Sequence, residues 1–318
     1  MPSLEFFTVD AFTRTPFTGN PAAVIVFPAS GSPHSQDLSD ADLVRIAAEF
    51  NLSETAFAWR LEDGPSFVPR YSLRWFTPTE EVPLCGHATL ATSHVLFTHV
   101  HSDATRIEYE TKFRGTLSAT IDRSSAASSS SSSSISLDFP SASSVTLESG
   151  HRRRDKIVER VAHAVKGASD PGVVERVAWA DQVPACVVEL SSQVKLEGME
   201  IDPTSLGGIG DLVILTQLAP SDSPHDIHSR VFAPDIGVPE DPVTGAAHTA
   251  LAPFWLLHPS SPFSEAKATV NDDRRVSELR AKQVSPRGGE MHVRFDAETK
   301  RVVLTGHARE MMKGTLDL

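Results

Sequence analysis

Two stretches of the chain combine glycine, small side chains and apolar sequence in a way that suits anion binding. They are GHATLATSHVLF from Gly86 and GAAHTALAPFWLL from Gly245, and their patterns predict buried helices whose N-termini face a loop region. A helix N-terminus presents unpaired N–H groups and partial positive charge, which suit a carboxylate or a developing enolate. Two such ends meeting across a cleft would hold an anion. The same small residues also occur where helices simply pack tightly, and both interpretations stay open.

Glu54 stands at the predicted junction of a helix and a strand. Ser39 is a good N-cap for the sequence DADLVRIAAEF, and Asn51 ends it, which predicts an amphipathic helix over about residues 40 to 50. The residues at helical spacing are Leu43, Ile46, Ala47 and Phe50. The following NLSETAFAW alternates like a strand. A lone glutamate at such a junction is typically a solvated surface residue, so position alone does not decide its role.

Composition and charge argue against several classes of function. The 318 residues include 40% hydrophobic and 22% charged side chains, and no apolar run reaches the ~18 residues that a membrane span needs. The formal net charge of −12 repels phosphate, so nucleic-acid binding is not expected. The basic run at 151–154 precedes Asp155 and helix-like sequence, which predicts a solvated helix start.

The cysteines and the N-terminus indicate a cytoplasmic protein. Cys85 and Cys186 form neither a C-x-x-C motif nor a cluster with histidines at metal-ligand spacing, so no disulfide and no metal site is expected. The sequence MPSLEFFTVDAF has no basic region followed by an apolar run. It therefore predicts a first strand and no signal peptide.

The length of the chain predicts two lobes. The serine-rich segment 124–134 carries nothing large enough to pack and predicts a flexible linker. It separates an N-terminal lobe, residues 1–123, from a C-terminal lobe, residues 135–318, whose last strand could pack back on the N-terminal lobe.

Weak self-similarity between the halves indicates a duplication. The segments recur in the same order: NPAAVIVF from Asn20 beside VPACVVEL from Val183, FTPTEEVP from Phe76 beside FAPDIGVP from Phe232, the glycine-led runs from Gly86 and Gly245, and FRGTL from Phe113 beside MKGTL from Met312. Each match is short, and the shared order is what favours a duplication.

A set of ordered motifs resembles the PhzF-like family of phenazine-biosynthesis proteins. The motifs are DAFTRTPFTGNPAAV from Asp10, NLSETAF from Asn51, RWFTPTEEVPLCGHATLA from Arg74, FAPDIGVPEDPVTGAA from Phe232, and the Gly-Gly and strand region from Gly288. The resemblance implies the α+β fold of diaminopimelate epimerase. In that fold two similar lobes are related by a pseudo-two-fold axis, and in each a curved, mostly antiparallel, barrel-like sheet wraps a central helix. It also implies a homodimer.

The resemblance further implies a reaction similar to that of trans-2,3-dihydro-3-hydroxyanthranilate isomerase, which moves a proton without metal or organic cofactor. The expected substrate is a small cyclic or amino-acid-like carboxylate. Glu54 matches the general acid/base, and desolvation at the mouth of an apolar cleft would move its pKa towards neutrality. His87 and Asp241 match polar positions that bind substrate and assist proton transfer. A core histidine and a helix cap are the structural alternatives for these two residues.

The resemblance also assigns residues to substrate binding. Backbone groups of Gly86, Gly245 and Ala246 are expected to hold the substrate carboxylate, and Asn20 is expected to line the cleft. Ala246 departs from the family pattern, which has a serine in its TGSA segment. The lost hydroxyl predicts another substrate or weaker activity, while the backbone N–H at this position is unaffected.

Two other functions are compatible with the fold. A racemase or epimerase of the diaminopimelate type needs two opposed cysteines, and Cys85 has no counterpart in the EDPVTG segment of the second half. Cys85 is therefore expected to be a small buried residue. A non-catalytic small-molecule-binding homologue is the second alternative. The retained Glu54, His87 and Asp241 argue against it, and Ala246 leaves it open.

Overall fold

The computed structural model describes residues 3–27, 38–62, 68–123, 133–165, 171–259, 261–263, 268–271 and 274–318. Of the predicted linker, residues 124–132 lie outside this described part. The chain divides into two compact units, the first comprising Met1–Asp138 with Thr305–Leu318 and the second comprising Phe139–Leu304.

The first unit is a mixed sheet around a buried helix. Its strands are β1 (Ser3–Ala11), β2 (Asn20–Phe27), β3 (Glu54–Arg60), β4 (Arg70–Phe76), β5 (Glu81–Val82), β6 (Arg106–Thr111), β7 (Gly115–Asp122), the start of β8 (Ser134–Pro140), and the closing strand β19 (Ala308–Asp317). β2 runs parallel to β3 and β4 runs parallel to β6, whereas β1–β2, β3–β4, β6–β7, β7–β8 and β1–β19 are antiparallel pairs.

Two helices of this unit differ in how much apolar surface they bury. In α2 (Gly86–Val95), every residue except His94 is buried, and the helix packs on β1, β2, β3 and β19. A π-helical turn, Leu96–Val100, continues it. The predicted amphipathic helix is confirmed as α1 (Asp40–Phe50), which Ser39 caps and Asn51 ends in the left-handed conformation. Its apolar face packs against β3 and β4.

The second unit has the same kind of architecture. Its strands are β9 (Ser144–Thr146), β10 (Val174–Ala180), β11 (Ala185–Leu190), β12 (Leu212–Leu218), β13 (Ile227–Ala233), β14 (Val238–Asp241), β15 (Ala268–Asn271), β16 (Arg274–Gln283), β17 (Gly289–Asp296) and β18 (Arg301–Gly306). The buried helix is α4 (Gly245–Leu256), which packs on β9, β11, β16 and β17. The amphipathic helix is α3 (Arg152–Ala164), and its exposed basic start is confirmed. Short 3₁₀ turns lie at Pro171–Val173, Pro203–Leu206 and Pro234–Ile236.

Strand pairing confirms two similar lobes. In the second unit β10–β11, β12–β13 and β16–β17 are antiparallel pairs, while β11–β12 and β13–β16 are parallel. This repeats the pairing of β1–β2, β3–β4, β6–β7, β2–β3 and β4–β6 in the first unit. The central helix follows β5 in one unit and β14 in the other. The predicted α+β class is therefore correct.

One of the segment pairs used to infer the duplication is not equivalent in the fold. FRGTL from Phe113 spans the turn between β6 and β7, whereas MKGTL from Met312 lies inside β19 and pairs with β1. The segments from Asn20 and Val183 both lead into corresponding strands, β2 and β11. The three letters that the two segments share, GTL, therefore do not mark equivalent positions in the two units.

No helix within the described ranges is both long and apolar enough to cross a membrane.

Gly19 fixes the entry of β2 and therefore the position of Asn20. Its φ is +77°, and an added Cβ would overlap the carbonyl oxygen of Ala11 and lie 2.6 Å from Thr13 Cγ2. Gly115 also has positive φ, +68°, but nothing lies within 4 Å of its added Cβ. It provides a control for backbone conformation alone.

We expect Gly115→Ala to lower the free energy of unfolding by about 1 kcal/mol, the cost of a left-handed alanine. Gly19→Ala should lower it by about 2 kcal/mol more, because overlap with the Ala11 carbonyl adds to the same backbone cost. Urea unfolding of both variants measures the difference. Equal losses would show that the backbone around Gly19 relaxes and that the close approach to Ala11 is unimportant.

Candidate active site

Glu54 is the first residue of β3, where the chain leaves α1. Asn51 ends the helix with φ of 50°, and after two further residues the chain pairs with β2, placing Glu54 opposite Ala22. The side chain is only 19% exposed. The solvated alternative considered for this residue is therefore wrong, since the fold removes most of the carboxylate from water.

His87 lies in the first turn of α2, beside the start of β3. Its side chain is buried, and its Nε2 lies 3.2 Å from Glu54 Oε2. The preceding Cys85 is the N-cap of the helix, and its Sγ accepts a hydrogen bond from the backbone N–H of Ala88 at 3.4 Å. Gly86 begins the helix between these two side chains. The first turn of α2 thus presents a thiol, an imidazole and backbone N–H groups together.

A closed set of hydrogen bonds orients the imidazole. Asn20 Nδ2 donates to His87 Nδ1 at 3.1 Å, and the Ser53 hydroxyl donates to Asn20 Oδ1 at 3.4 Å. The Ser53 oxygen in turn lies 3.3 Å from His87 Nε2. Because Nδ1 accepts, the neutral ring carries its proton on Nε2, the nitrogen that faces Ser53 and Glu54. Asn20 and Ser53 therefore fix the tautomer of His87.

The electrostatics of Glu54 suit proton transfer near neutral pH. Burial raises its pKa from 4.5 to about 7, and the Ser53 hydroxyl opposes this only in part. Although His87 Nε2 is 3.2 Å away, the angle is not that of a hydrogen bond, and Oε2 has no hydrogen-bond partner in the described part of the chain. A carboxyl group with a pKa close to the working pH can both take and return a proton.

Glu54, Cys85 and His87 also form a group of possible metal ligands. Their donor atoms all lie within 4.8 Å of one another. Cys85 Sγ lies 3.4 Å from His87 Nδ1 and 4.0 Å from Nε2. The sequence predicted no metal site because Cys85 and His87 stand far from Glu54 along the chain, and only the packing of α2 on β2 and β3 brings the three residues together.

The second unit carries the other predicted site residues. Asp241 ends β14, its side chain is buried, and its Oδ2 accepts a short hydrogen bond from the Thr244 hydroxyl. Thr244 is the N-cap of α4, and Gly245 and Ala246 form the first turn. Asp241 is therefore not the N-cap of α4, the structural role considered above as the alternative to a role in the active site. The N–H groups at the start of α4 are of the kind that lack partners within a helix.

Sequence reasoning missed Gln283, which is fully buried and holds the segment leading into α4. Its Nε2 donates to the Asp241 carbonyl at 2.6 Å and to Thr244 Oγ1 at 3.3 Å, and its Oε1 accepts from the Thr244 N–H at 2.9 Å. The signal that could have identified Gln283 in the sequence is its position at the end of β16, just before the Gly288 region. Cys85 and Ser53, both adjacent to predicted site residues, were likewise not assigned to the site.

His248, on the next turn of α4, is a buried neutral side chain. Burial lowers its pKa to about 4, and its Nδ1 donates to the Thr244 carbonyl at 2.8 Å. It stays uncharged at neutral pH and gives no positive charge to this end of the helix.

Comparison with known proteins establishes the family. The model of the family described as phenazine biosynthesis-like protein matches residues 9–314. The chain belongs to this family. The resemblance inferred from the ordered motifs is thereby confirmed.

Similar family members come from animals and bacteria. The phenazine biosynthesis-like domain-containing protein 1 of Mus musculus is 33% identical over 326 residues, covering 98% of this chain and 99% of its own. An uncharacterized isomerase of Halalkalibacterium halodurans is 33% identical over 318 residues, covering 99% of each. The crystal structure of a PhzF family protein from Enterococcus faecalis has a TM-score of 0.74 at 29% identity and covers 100% of both chains.

The raised pKa of Glu54 predicts how the stability of the folded chain depends on pH, and this can be measured without a substrate. Below pH 4.5 the carboxyl is protonated in both folded and unfolded chains, whereas above about pH 7 the folded chain must bury an ionised group. This carboxyl therefore lowers stability as pH rises from 4.5 to 7. At 1.36 kcal/mol per pH unit the full cost is at most about 3 kcal/mol.

The free energy of unfolding of Glu54→Gln, compared with that of the parent chain, should consequently rise by about 2 kcal/mol between pH 5 and pH 8. Urea unfolding in the presence of a chelator measures the difference at each pH. Glu49→Gln, at an exposed position of α1, is the control and should change stability equally at both values. If the Glu54→Gln and parent curves stay parallel with pH, the Glu54 carboxyl is not desolvated.

Proposed function

We propose that this protein is a cofactor-independent isomerase that moves a proton on a small cyclic or amino-acid-like carboxylate, with Glu54 as the general acid/base. The observation that supports this most directly is the position of the Glu54 carboxylate, largely removed from water and 3.2 Å from His87 Nε2. The motif match to the family supports the same role. A relative from Halalkalibacterium halodurans is named an isomerase.

We assign each neighbour of Glu54 a part in the proposed proton transfer. The ionised carboxylate takes a proton from a substrate carbon, and the electron pair of the broken C–H bond enters the adjacent conjugated system, shifting a double bond. Glu54 then returns the proton to another carbon, so that it ends the cycle ionised. His87 faces Glu54 with its proton on Nε2, 3.2 Å from Oε2, while the carboxylate is ionised at the start and the end of the cycle, and Asn20 and Ser53 keep that proton in place.

We assign substrate binding to backbone N–H groups at helix starts. In each unit the N–H groups at the start of the buried helix, at Gly86 in α2 and at Gly245 and Ala246 in α4, are proposed as anion-binding groups, since helix N-termini favour anions. Asp241 is proposed as a polar contact to the substrate, and Gln283 holds its backbone. These assignments rest on the family motifs together with the local structure of each unit.

A racemase with two thiols is disfavoured by the fold. Cys85 caps α2, and the corresponding N-cap of α4 is Thr244. The other cysteine of the chain, Cys186, lies fully buried in β11, and burial raises the pKa of its thiol to about 12. A thiol with such a pKa does not supply a thiolate at neutral pH. Proton transfer by a carboxylate fits this chain better.

The proposed role of Glu54 predicts loss of turnover in Glu54→Gln. We expect the parent chain to convert trans-2,3-dihydro-3-hydroxyanthranilate in D₂O with incorporation of deuterium, followed by proton NMR. Glu54→Gln should reduce the rate by about 10² to 10⁴, the usual contribution of a general acid/base. Glu49→Gln, an exposed glutamate on α1, should retain the parent rate. Turnover by Glu54→Gln at the parent rate would assign the proton transfer to another group.

Ala246 predicts how the substrate of this chain differs from that of the family enzyme. A serine hydroxyl at this position would add a hydrogen bond to an anionic substrate, which is worth about 1.5 to 3 kcal/mol. Ala246→Ser should therefore raise turnover of trans-2,3-dihydro-3-hydroxyanthranilate about tenfold or more. No gain, with parent turnover already present, would show that the hydroxyl is dispensable. No turnover by either chain would instead favour a different substrate or a binding role.

A further inference from the structure

Each unit carries an arginine–glutamate pair just before its buried helix. In the first unit Arg74 Nε and Nη2 lie 2.8 and 2.7 Å from the two carboxylate oxygens of Glu81. In the second unit Arg230 Nε and Nη2 lie 2.7 and 2.8 Å from the two oxygens of Glu240. Two parallel N–H···O bonds fix the angle between the groups as well as their distance. We call these pairs the first clamp and the second clamp.

The two clamps occupy equivalent positions in the duplicated fold. Each arginine lies two residues before a buried phenylalanine, Phe76 or Phe232, and its guanidinium carbon is 4.9 or 5.3 Å from the centroid of that ring. Each glutamate stands five positions before the glycine that begins α2 or α4. The arginine and glutamate are seven residues apart in the first unit and ten in the second. Matching the two segments at their V-P dipeptides therefore places Glu81 opposite Gly237 and hides the correspondence.

The second clamp controls the direction of the Asp241 side chain. Glu240 and Asp241 are successive residues of β14, so their side chains point to opposite faces of the strand. Glu240 binds Arg230 on one face, and Asp241 accepts from Thr244 at the N-cap of α4 on the other. Arg230 is in turn held by the Met199 carbonyl, to which its Nη1 donates at 2.5 Å. The clamp thus fixes the rotation of β14 about its own axis.

The first clamp precedes the helix start that carries Cys85 and His87. Glu81 belongs to β5, a strand of two residues, and two further residues separate β5 from Cys85, the N-cap of α2. So short a strand has few backbone hydrogen bonds to hold it. The bidentate bond of Glu81 to β4 supplies a second attachment for the segment that leads into the helix.

Further charges keep the first clamp ionised and in place. Arg74 Nη2 lies 2.9 Å from Asp40 Oδ1 in the first turn of α1, and Lys112 Nζ lies 2.8 Å from Glu81 Oε2. The Arg74 guanidinium lowers the pKa of Glu81, although burial opposes this. The Arg74 and Glu81 side chains are only 19% and 12% exposed, so their bonds are largely protected from competing water.

We propose that the two clamps position the first turns of the buried helices, with Arg74 and Arg230 as positioning residues. The first clamp acts on Cys85 and His87, and the second acts on Asp241 and the start of α4. The expected effect on turnover rests on the proposed function, whereas the effect on the structure of each helix start does not.

The first test uses the Cys85 thiol as a reporter, because it is only 5% exposed. It is measured in a Cys186→Ser background, where Cys85 is the one cysteine left in the sequence. Arg74→Lys keeps the positive charge and removes the bidentate bond. It should raise the rate of reaction with a chromogenic disulfide about tenfold, because the segment before α2 opens more often. Glu81→Gln should act in the same way, and Arg230→Lys should leave the rate unchanged.

Arg176→Lys is the matched control. Arg176 Nε lies 2.7 Å from Glu189 Oε2, and these side chains are 11% and 13% exposed, which is close to the burial of the clamps. The pair bridges β10 and β11 and leads into neither buried helix. Its loss should lower the free energy of unfolding without changing the reaction rate of Cys85.

The second test separates kcat from KM in the turnover of trans-2,3-dihydro-3-hydroxyanthranilate. Arg74→Lys should lower kcat about 10- to 100-fold, because His87 is misplaced beside Glu54. Arg230→Lys should raise KM about tenfold with kcat unchanged, because the helix start of its unit is assigned to binding. Arg176→Lys should change neither constant.

Three results would overturn the proposal. One is an unchanged Cys85 rate in both Arg74→Lys and Glu81→Gln, with circular dichroism showing a folded chain. The others are an equal acceleration in Arg176→Lys, or the same change of kcat and KM in all three arginine variants of an active chain. An inactive parent chain with the expected Cys85 rates would support the clamps while counting against the proposed reaction.

Discussion

The desolvation of the Glu54 carboxylate is the constraint on which the rest of the first unit depends. The parallel pairing of β2 with β3 fixes this residue at a strand start, and the buried α2 lies against the same strands. A carboxylate in such a place is costly to ionise. Among the described residues, no arginine or lysine forms an ion pair with Glu54 that would offset that cost and lower the pKa. It surrounds the group with an imidazole and a hydroxyl, which leave the pKa near 7.

The duplicated architecture provides two similar helix starts that have acquired different chemistry. Cys85 and Thr244 occupy the N-cap of α2 and α4, respectively. In the first unit the following turn contains His87 and neighbours a titratable carboxylate. In the second unit it contains Ala246, and the nearby carboxylate of Asp241 is engaged by the Thr244 hydroxyl. The same backbone thus supports a carboxyl group with a pKa of about 7 in one unit and a fixed polar cluster in the other.

Local sequence patterns predicted the helices α1, α2 and α4. They could not predict the hydrogen bonds between residues that are far apart along the chain. Capping by Ser39 and Asn51 defined α1 correctly, and the glycine-led apolar runs defined α2 and α4. The hydrogen bond between Asn20 and His87 spans 67 residues, and that between Gln283 and Asp241 spans 42. No periodicity or capping signal encodes such partners. Asn20 and His87 were named from family motifs, but their direct contact and the part of Ser53 in it required the fold.

The identity of residue 20 decides which nitrogen of His87 carries the ring proton. As an amide, Asn20 can donate to His87 Nδ1 while accepting from Ser53, and this arrangement leaves the ring proton on Nε2 beside Glu54. A carboxylate at the same position could only accept, and would draw the proton to Nδ1 and leave a lone pair on Nε2. The asparagine therefore keeps an N–H of His87, and not a lone pair, turned towards the Glu54 carboxylate.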